Sequence, residues 1–413
     1  MPCPGCTLAE FLKEMGRRVS MNREIECRAA PKPEPKRQFC LGFGGVAAGV
    51  MFTVGVVAFG GEAWAGETFN NASFNGLVNA CREGSTVGTN FNKRCGNIGL
   101  TSEGTGTATG STSGSSGVGS PIAPSAVEQR LRKLREKGGG QKAAVGASAD
   151  GSVALGQGFN VFFAPGYERI NKSNNKFEDG YKSDVARLTV GGDYLFSKYV
   201  VGGIAASYSY DDGVYDDGQG FGNDTGSVMV YASILPFEQA FIDITAGYTF
   251  YSLNEKRVAR LFSAEGVQTF GGKISGDHDG HGVAGGILFG YDVPIKNFTV
   301  GPRAALNARH VSYDSYKEKG NTGLELRYNG ESETSLQSSL GAAASIAVST
   351  SFGVLLPQLE AAWLHEFADE QRSIKAQYRD ANPGSPSFKY DTERPDRNFG
   401  IIGVGLTAVL PNG

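Results

Sequence analysis

The sequence predicts an all-β protein: an antiparallel β-barrel that spans a membrane, with a helix amino-terminal to it lying in the lumen. Three observations lead there. Long segments alternate apolar and small or polar residues with period two, which puts the two kinds on opposite faces of a strand. In 332–348, Leu336, Leu340, Ala342, Ala344, Ile346 and Val348 oppose Ser335, Gln337, Ser339, Gly341 and Ser345. Strands of this length with apolar outsides and small or polar insides suit a barrel in lipid rather than a soluble sandwich. The connections between segments alternate strictly between short and long. Finally, the 413 residues include 60 Gly, are 40% hydrophobic, and hold a single apolar run near the length of a spanning helix. A net charge of −3 argues against a nucleic-acid partner.

From the amino terminus, residues 1–65 read as an extended leader ending in a signal peptide. The uncharged run 41–60 follows Lys32, Lys36 and Arg37 and precedes Ala63-Trp64-Ala65, a small-x-small cleavage pattern at Ala63 and Ala65. Gly45 and Gly49 keep open a permanent membrane helix, and Met21 could be the true start. Cys3-Pro4-Gly5-Cys6 resembles a redox motif, but no predicted fold surrounds it and no thiol function is expected. Residues 66–100 form a short exported segment in which Cys81 and Cys95 read as one disulfide. Residues 101–124 are a Gly/Ser/Thr-rich linker. Residues 125–140 carry the one clear helix signal of the mature chain. Ser125 and Glu128 form a capping box, Val127, Leu131 and Leu134 recur at helical spacing, and Gly138 to Gly140 end it. Its other face is basic, with Arg130, Arg132, Lys133 and Arg135. A solvated surface helix is the plain reading; its place beside the first strand favours a helix in the pore.

Residues 141–413 hold about ten strands. In 186–196, Ala186, Leu188, Val190, Tyr194 and Phe196 oppose Arg187, Thr189, Gly191 and Asp193. Ile242 to Phe250 and Phe298 to Ala308 repeat the pattern, with Asp243, Arg303 and Arg309 on the polar side. Short connections are expected at 197–198, 236–239, 294–297 and 349–351, and long polar ones at 171–182, 211–222, 254–277, 312–331 and 368–397. Outer-membrane barrels sort their loops in this way, short turns inside and long loops outside.

Residues 127–413 resemble the translocator of a bacterial autotransporter, the type V secretion system. The resemblance rests on Gly166-Tyr167-Glu168-Arg169, Phe177-Glu178-Asp179-Gly180, Asn297 to Arg303, Thr322-Gly323-Leu324-Glu325-Leu326, Leu356-Pro357-Gln358 and His365-Glu366-Phe367. It implies a twelve-stranded barrel, a helix in the pore and a secreted passenger ahead of that helix. It also implies export by the general secretion pathway, periplasmic chaperones and insertion by the outer-membrane barrel assembly machinery. Three departures stand out. Family members continue past a point equivalent to Gly413 into a final hairpin, so a carboxyl-terminal truncation is expected. The passenger is short. Some relatives cut themselves at an Asn in the pore helix, and no Asn lies between Asn97 and Asn160, so no self-cleavage of that kind is expected.

Candidate chemistry is sparse. Asp277-His278-Asp279-Gly280-His281 is metal-capable by composition, but a hydrophilic rim is the simpler reading. His365 and Glu366 point to opposite faces of a strand and form no dyad. The lumen charges Arg187, Asp193, Asp243, Arg303, Arg309, Glu360 and Glu366 are expected to line a polar conduit, with Asp193, Asp243, Glu360 and Glu366 facing the basic helix. No catalytic residue, cofactor or metal is expected. The expected product is a monomer in outer-membrane lipid that secretes or displays its own amino-terminal segment. A porin-like channel is the first alternative, and a surface enzyme or adhesin carried by the passenger and long loops is the second.

Overall fold

Ten long strands follow one another as an antiparallel meander in which each pairs with the next in sequence. They are β1 (Phe159–Lys172), β2 (Tyr181–Ser197), β3 (Val200–Tyr215), β4 (Gly220–Ile234) and β5 (Ala240–Phe262). After them come β6 (Gln268–Tyr291), β7 (Phe298–Tyr313), β8 (Glu331–Ile346), β9 (Gly353–Glu366) and β10 (Asn398–Val409). The computed structural model describes residues 51–54, 67–82, 89–95, Val127, Arg130, Leu131, Leu134, and 153–409 except 157, 175–176, 178, 217, 263–266, 351–352 and 383. Among them no helix is long and apolar enough to cross a membrane, a statement that does not bear on strands.

Parity sets the two faces. Ile204, Val230, Leu340 and Ile402 are more than half exposed on the outside, whereas Thr189, Asp193, Ser233 and Asp243 are buried within. An apolar exterior around a polar interior is the arrangement lipid demands, because no water is available there for polar side chains. Exposed aromatic residues collect at two levels along the strands. Phe196, Tyr199 and Phe237 mark the short-turn end, and Phe250, Trp363 and Phe367 the other. Their amphipathic or bulky rings suit the two interfaces.

The sheet is curled, and among the described residues no ladder joins its two ends. Val153–Gly156 pairs with β1, and Met51–Val54 pairs with β10 from Met51↔Gly405 to Val54↔Ile402. Lys172 Nζ lies 2.9 Å from Glu393 Oε2, so the outer end of β1 meets the segment just before β10. Met51–Val54 belongs to the apolar run read as a signal sequence; the rest of residues 1–66 lies outside the described residues. An open edge in lipid leaves backbone donors and acceptors unmade, and an apolar segment that pairs with it satisfies them. The cleavage residues Ala63 and Ala65 lie outside the described residues, as do Cys3 and Cys6.

Two expected loops are strand instead. β3 and β4 close at Tyr215 and Gly220, and β5 and β6 run for 23 and 24 residues. A spanning strand needs only about 9–11 residues, so both project well past the lipid. Beyond the lipid the outer side chains face water and turn polar, which hides the strand pattern. The inner row persists: Leu253, Glu255, Arg257, Ala259 and Leu261 are all buried. The long connections at 312–331 and 368–397 carry a second, four-stranded sheet of Tyr316–Lys317, Leu326–Tyr328, Ser373–Tyr378 and Phe388–Asp391.

The amino-terminal segment is also more ordered than its composition suggests. Residues Glu67–Arg82 form α1 and Thr89–Cys95 form α2, two helices in a segment where the sequence predicts none. Phe69, Ser73, Leu77 and Ala80 fall on one face of α1 and are buried, an i, i+4, i+8, i+11 row partly masked by Asn and Gly.

The lipid assignment is checked by charge placement. Leu340→Arg, on the outer face of β8, should destabilise the folded protein in lipid vesicles by about 2–4 kcal/mol in a urea titration. Ser339→Arg, one residue away on the inner face, should cost far less; equal costs would contradict the assignment.

Candidate functional site: the two ends of the conduit

At the short-turn end, Val127, Arg130, Leu131 and Leu134 are helical. Val127 and Leu131 are fully buried against Phe162, Val201, Ala205 and Tyr231, with Leu134 packed beside them. These wall residues come from β1, β3 and β4 and face inward, so the helix lies inside the curl of the sheet. Arg130 Nε and Nη2 donate to Asp193 at 2.8 and 3.2 Å, and Asn160 Nδ2 donates to the same carboxylate at 2.9 Å. The paired side chains are almost wholly withdrawn from water, at 2% and 0% exposure. The Arg130 guanidinium also stands 5.5 Å from the Phe162 ring. A bidentate pair with further hydrogen bonds is the arrangement in which buried charges offset their desolvation. Arg132, Lys133, Arg135, Ser125 and Glu128 lie outside the described residues.

The other lumen charges are spread along the depth of the barrel. Asp243 is buried and accepts from Ser233 Oγ at 2.6 Å. Arg187 and Glu360 lie half-buried on the inner rows of β2 and β9. Arg303 pairs with Asp292 and stands 4.8 Å from the Phe241 ring, within its own stretch of wall. Arg309 Nη2 donates to Glu333 at 3.0 Å. Glu366, expected to meet the helix, sits at the far end. It accepts from Ser335 Oγ at 2.6 Å and from the backbone N–H groups of Leu336 and Ala368 at 2.9 Å. Parity gives a residue's face but not its depth, and Glu366 is at the outer end of β9.

At the long-connection end the chain builds a covered mouth. One apolar core joins Phe69, Leu77 and Ala80 of α1 and Phe91 of α2 to Ala259 and Leu261 of β5, Ile274 of β6, and Leu324, Tyr328, Ile374, Tyr378 and Tyr390. Beneath it, Arg257 donates to both oxygens of Glu318 at 2.6 Å and to the Leu324 carbonyl at 2.8 Å. Burial alone would lower the Arg257 pKa, but Glu318 outweighs it and raises it. Glu255 is buried near Glu318 and Glu331, and burial first, then those two carboxylates, push its pKa well up. Cys81 and Cys95 form a disulfide that ties the end of α1 to the end of α2.

The His-containing stretch is split by strand alternation. His278 faces inward and is buried, whereas Asp277, Asp279 and His281 are exposed. Among the described residues no group of three metal-capable side chains gathers. His278 instead stacks on Tyr316, with centroids 4.4 Å apart, and Tyr316 stacks on Tyr328 at 4.8 Å. Both its ring nitrogens are buried without a hydrogen-bond partner among the described residues. Burial pushes its pKa down to about 4 against the pull of Asp279, Asp277 and Asp314.

Comparison with known proteins fits this geometry. A family model described as the autotransporter beta-domain matches residues 161–413. The chain belongs to the autotransporter β-domain family. Outer membrane protein A of Rickettsia conorii is 24% identical over 271 residues, 64% of this chain and 13% of that protein. Outer membrane protein B of Rickettsia prowazekii is 25% identical over 249 residues, 58% of this chain and 15% of that protein. The chain therefore spans about an eighth to a seventh of the length of these relatives. Among solved structures, the translocator domain of the autotransporter NalP from Neisseria meningitidis is 14% identical with a TM-score of 0.45, covering 68% of this chain and 94% of that one. This autotransporter β-domain is an outer-membrane translocator, located in the bacterial outer membrane, and the translocator itself is not an enzyme.

Two measurements check the site. Asp193→Asn strands the Arg130 charge in the wall and should cost about 3–5 kcal/mol in unfolding experiments, whereas the double change Arg130→Met with Asp193→Leu should recover most of it. For His278 the folded pKa lies below the ordinary value near 6.5. Its contribution is therefore complete above that value and is lost as pH falls from about 6.5 towards 4. Hydrogen exchange of the outer sheet should show that loss, and His278→Phe should reduce the slope in that window.

Proposed function

We propose that the barrel carries its own amino-terminal segment, residues 66–100, across the outer membrane and displays it at the cell surface as a non-enzymatic passenger. One observation carries the reading. The α1–α2 hairpin sits at the long-connection end, whereas the helix containing Val127 to Leu134 sits at the short-turn end. The chain between Cys95 and Val127 must connect opposite ends of the barrel. Its 31 residues reach up to about 100 Å when extended, well beyond the roughly 30 Å of a hydrocarbon core.

Export by the general secretion pathway, escort by periplasmic chaperones and insertion by the barrel assembly machinery belong to this reading. So does a monomeric state. The polar groups of the hairpin support a structural passenger rather than a reactive one: the Ser73 carbonyl, Asn90 and Arg94 are spent on the barrel. A porin-like channel is disfavoured by the helix bound through Arg130 and Asp193, which occupies the space that solutes would use.

The test is side-specific labelling. Asn75 is exposed on α1, so Asn75→Cys should react with a membrane-impermeant maleimide on intact cells. Reaction only after the outer membrane is permeabilised would place the hairpin on the wrong side and end this reading.

A further inference from the structure

The passenger's own role is the open question, and its packing addresses it. α1 and α2 have 16 and 7 residues, too few to bury a core of their own even with one disulfide. Three of their large apolar side chains, Phe69, Leu77 and Phe91, are instead at most 5% exposed because they pack against the rest of the chain. A hairpin set free in water would expose that whole face. Segments that act after release do not keep their apolar face filled by the transporter.

The seat is shaped on both sides. Phe69 meets Tyr390 edge-on with centroids 5.0 Å apart, and Phe91 lies 5.8 Å from Tyr378. Tyr378 Oη donates to the Ser73 carbonyl at 2.9 Å, and Asn90 Nδ2 donates to Asn321 Oδ1 at 2.6 Å. Arg94 Nε donates to the Thr322 carbonyl at 3.1 Å while its guanidinium lies 3.4 Å over the Phe270 ring. Two glycines allow the close approach. A Cβ on Gly76 of α1 would run into the Phe388 ring. A Cβ on Gly323 would stand 2.5 Å from the backbone of Asn90 and Phe91, and Gly323 has a φ of +79° that disfavours other residues. Glu325 holds that turn by accepting from the N–H groups of Thr322 and Gly323 at 2.6 and 3.0 Å.

The position of the seat decides what the hairpin does. Ala259, Leu261 and Ile274 beneath it belong to the inward-facing rows of β5 and β6, the continuation of the rows that line the lumen. The hairpin is therefore packed over the inside of the barrel's outer mouth and not along its outer rim.

We propose that the displayed segment is a retained outer gate: the disulfide-closed hairpin Glu67–Cys95 docks back onto the barrel that exported it and closes the conduit independently of the lumen helix. This rests on the surface-display reading, and goes beyond it in giving the passenger a function and a fixed partner, its own β-domain. The barrel then has two closures of different construction. The inner one is a helix locked by a buried ion pair; the outer one is a hairpin seated on an aromatic floor.

The experiment is conductance in planar bilayers, with the full chain compared to three deletions: residues 66–100, residues 126–140, and both. Either single deletion should leave the pore nearly closed, and the double deletion should raise conductance severalfold. A variant lacking 126–140 and carrying Gly76→Leu keeps the hairpin but unseats it, and should conduct like the double deletion. Circular dichroism and heat-modifiable migration identify which variants hold a folded barrel, and only these enter the comparison. If deletion of 126–140 alone opens the pore as far as the double deletion, or Gly76→Leu adds nothing in that background, the outer gate is refuted. Impermeant labelling at Asn75→Cys separates the two proposals. Labelling on intact cells with no effect of the hairpin on conductance removes the gate alone, and absence of labelling removes the display reading beneath it.

Discussion

Backbone hydrogen bonding in a solvent without water is the constraint from which the rest of this structure follows. Each N–H and C=O within the hydrocarbon must find a partner on a neighbouring strand, because an unmade bond there costs several kcal/mol. The ten-strand meander meets the requirement by pairing every strand with the next. Where the path ends at β10, a four-residue apolar strand at Met51–Val54 pairs with the edge. Once backbone pairing is fixed, side chains have two choices, lipid or lumen, and parity alone assigns them. The exposed Ile204, Leu340 and Ile402 and the buried Asp193 and Asp243 are outcomes of the same rule.

That rule made the barrel legible and also set the limits of legibility. The face of a charge could be assigned from alternation, because only two faces exist. Depth could not, because alternation repeats identically from one interface to the other. Glu366 and Asp193 have the same inward orientation, but Asp193 lies near the short turns and binds Arg130, whereas Glu366 is held by backbone N–H groups at the outer end. The bounds of β5 and β6 failed for a related reason. Above the lipid the outer face turns polar, and a polar stretch between two spanning strands reads as loop. A signal was present in Arg257, Ala259 and Leu261, one parity of a row that stays buried, but a buried Arg does not announce itself without its partner Glu318, 61 residues away.

The amino-terminal hairpin was hidden differently. Its disulfide spacing was visible, but α1 is rich in Asn and Gly, and its apolar face of Phe69, Leu77 and Ala80 is thin. Helices of this size owe their order to tertiary packing more than to propensity. The packing partner here is scattered over β5, β6 and two long connections, and nothing local to residues 67–95 could reveal it. The same scattering explains why the long connections are long: they hold the second sheet, which supplies Tyr328, Tyr378 and Tyr390 to the floor under the hairpin.

The two ends of the conduit differ in chemistry for reasons of solvent. Near the inner end the helix shares a narrow, mostly apolar space with Phe162, Val201 and Tyr231, where one ion pair with complete hydrogen bonding gives specificity that greasy contacts alone would not. The outer end faces water, where surface ion pairs are worth little and apolar burial can supply the attraction. The Arg257–Glu318 pair is placed under that apolar layer rather than at its edge, with a backbone carbonyl as a third partner. Withdrawn from water, it resists screening by salt and links β5 to the outer sheet. The floor under the hairpin is built from β5, β6 and the second sheet, and the Cys81–Cys95 disulfide lowers the ordering cost of the two short helices that pack on it.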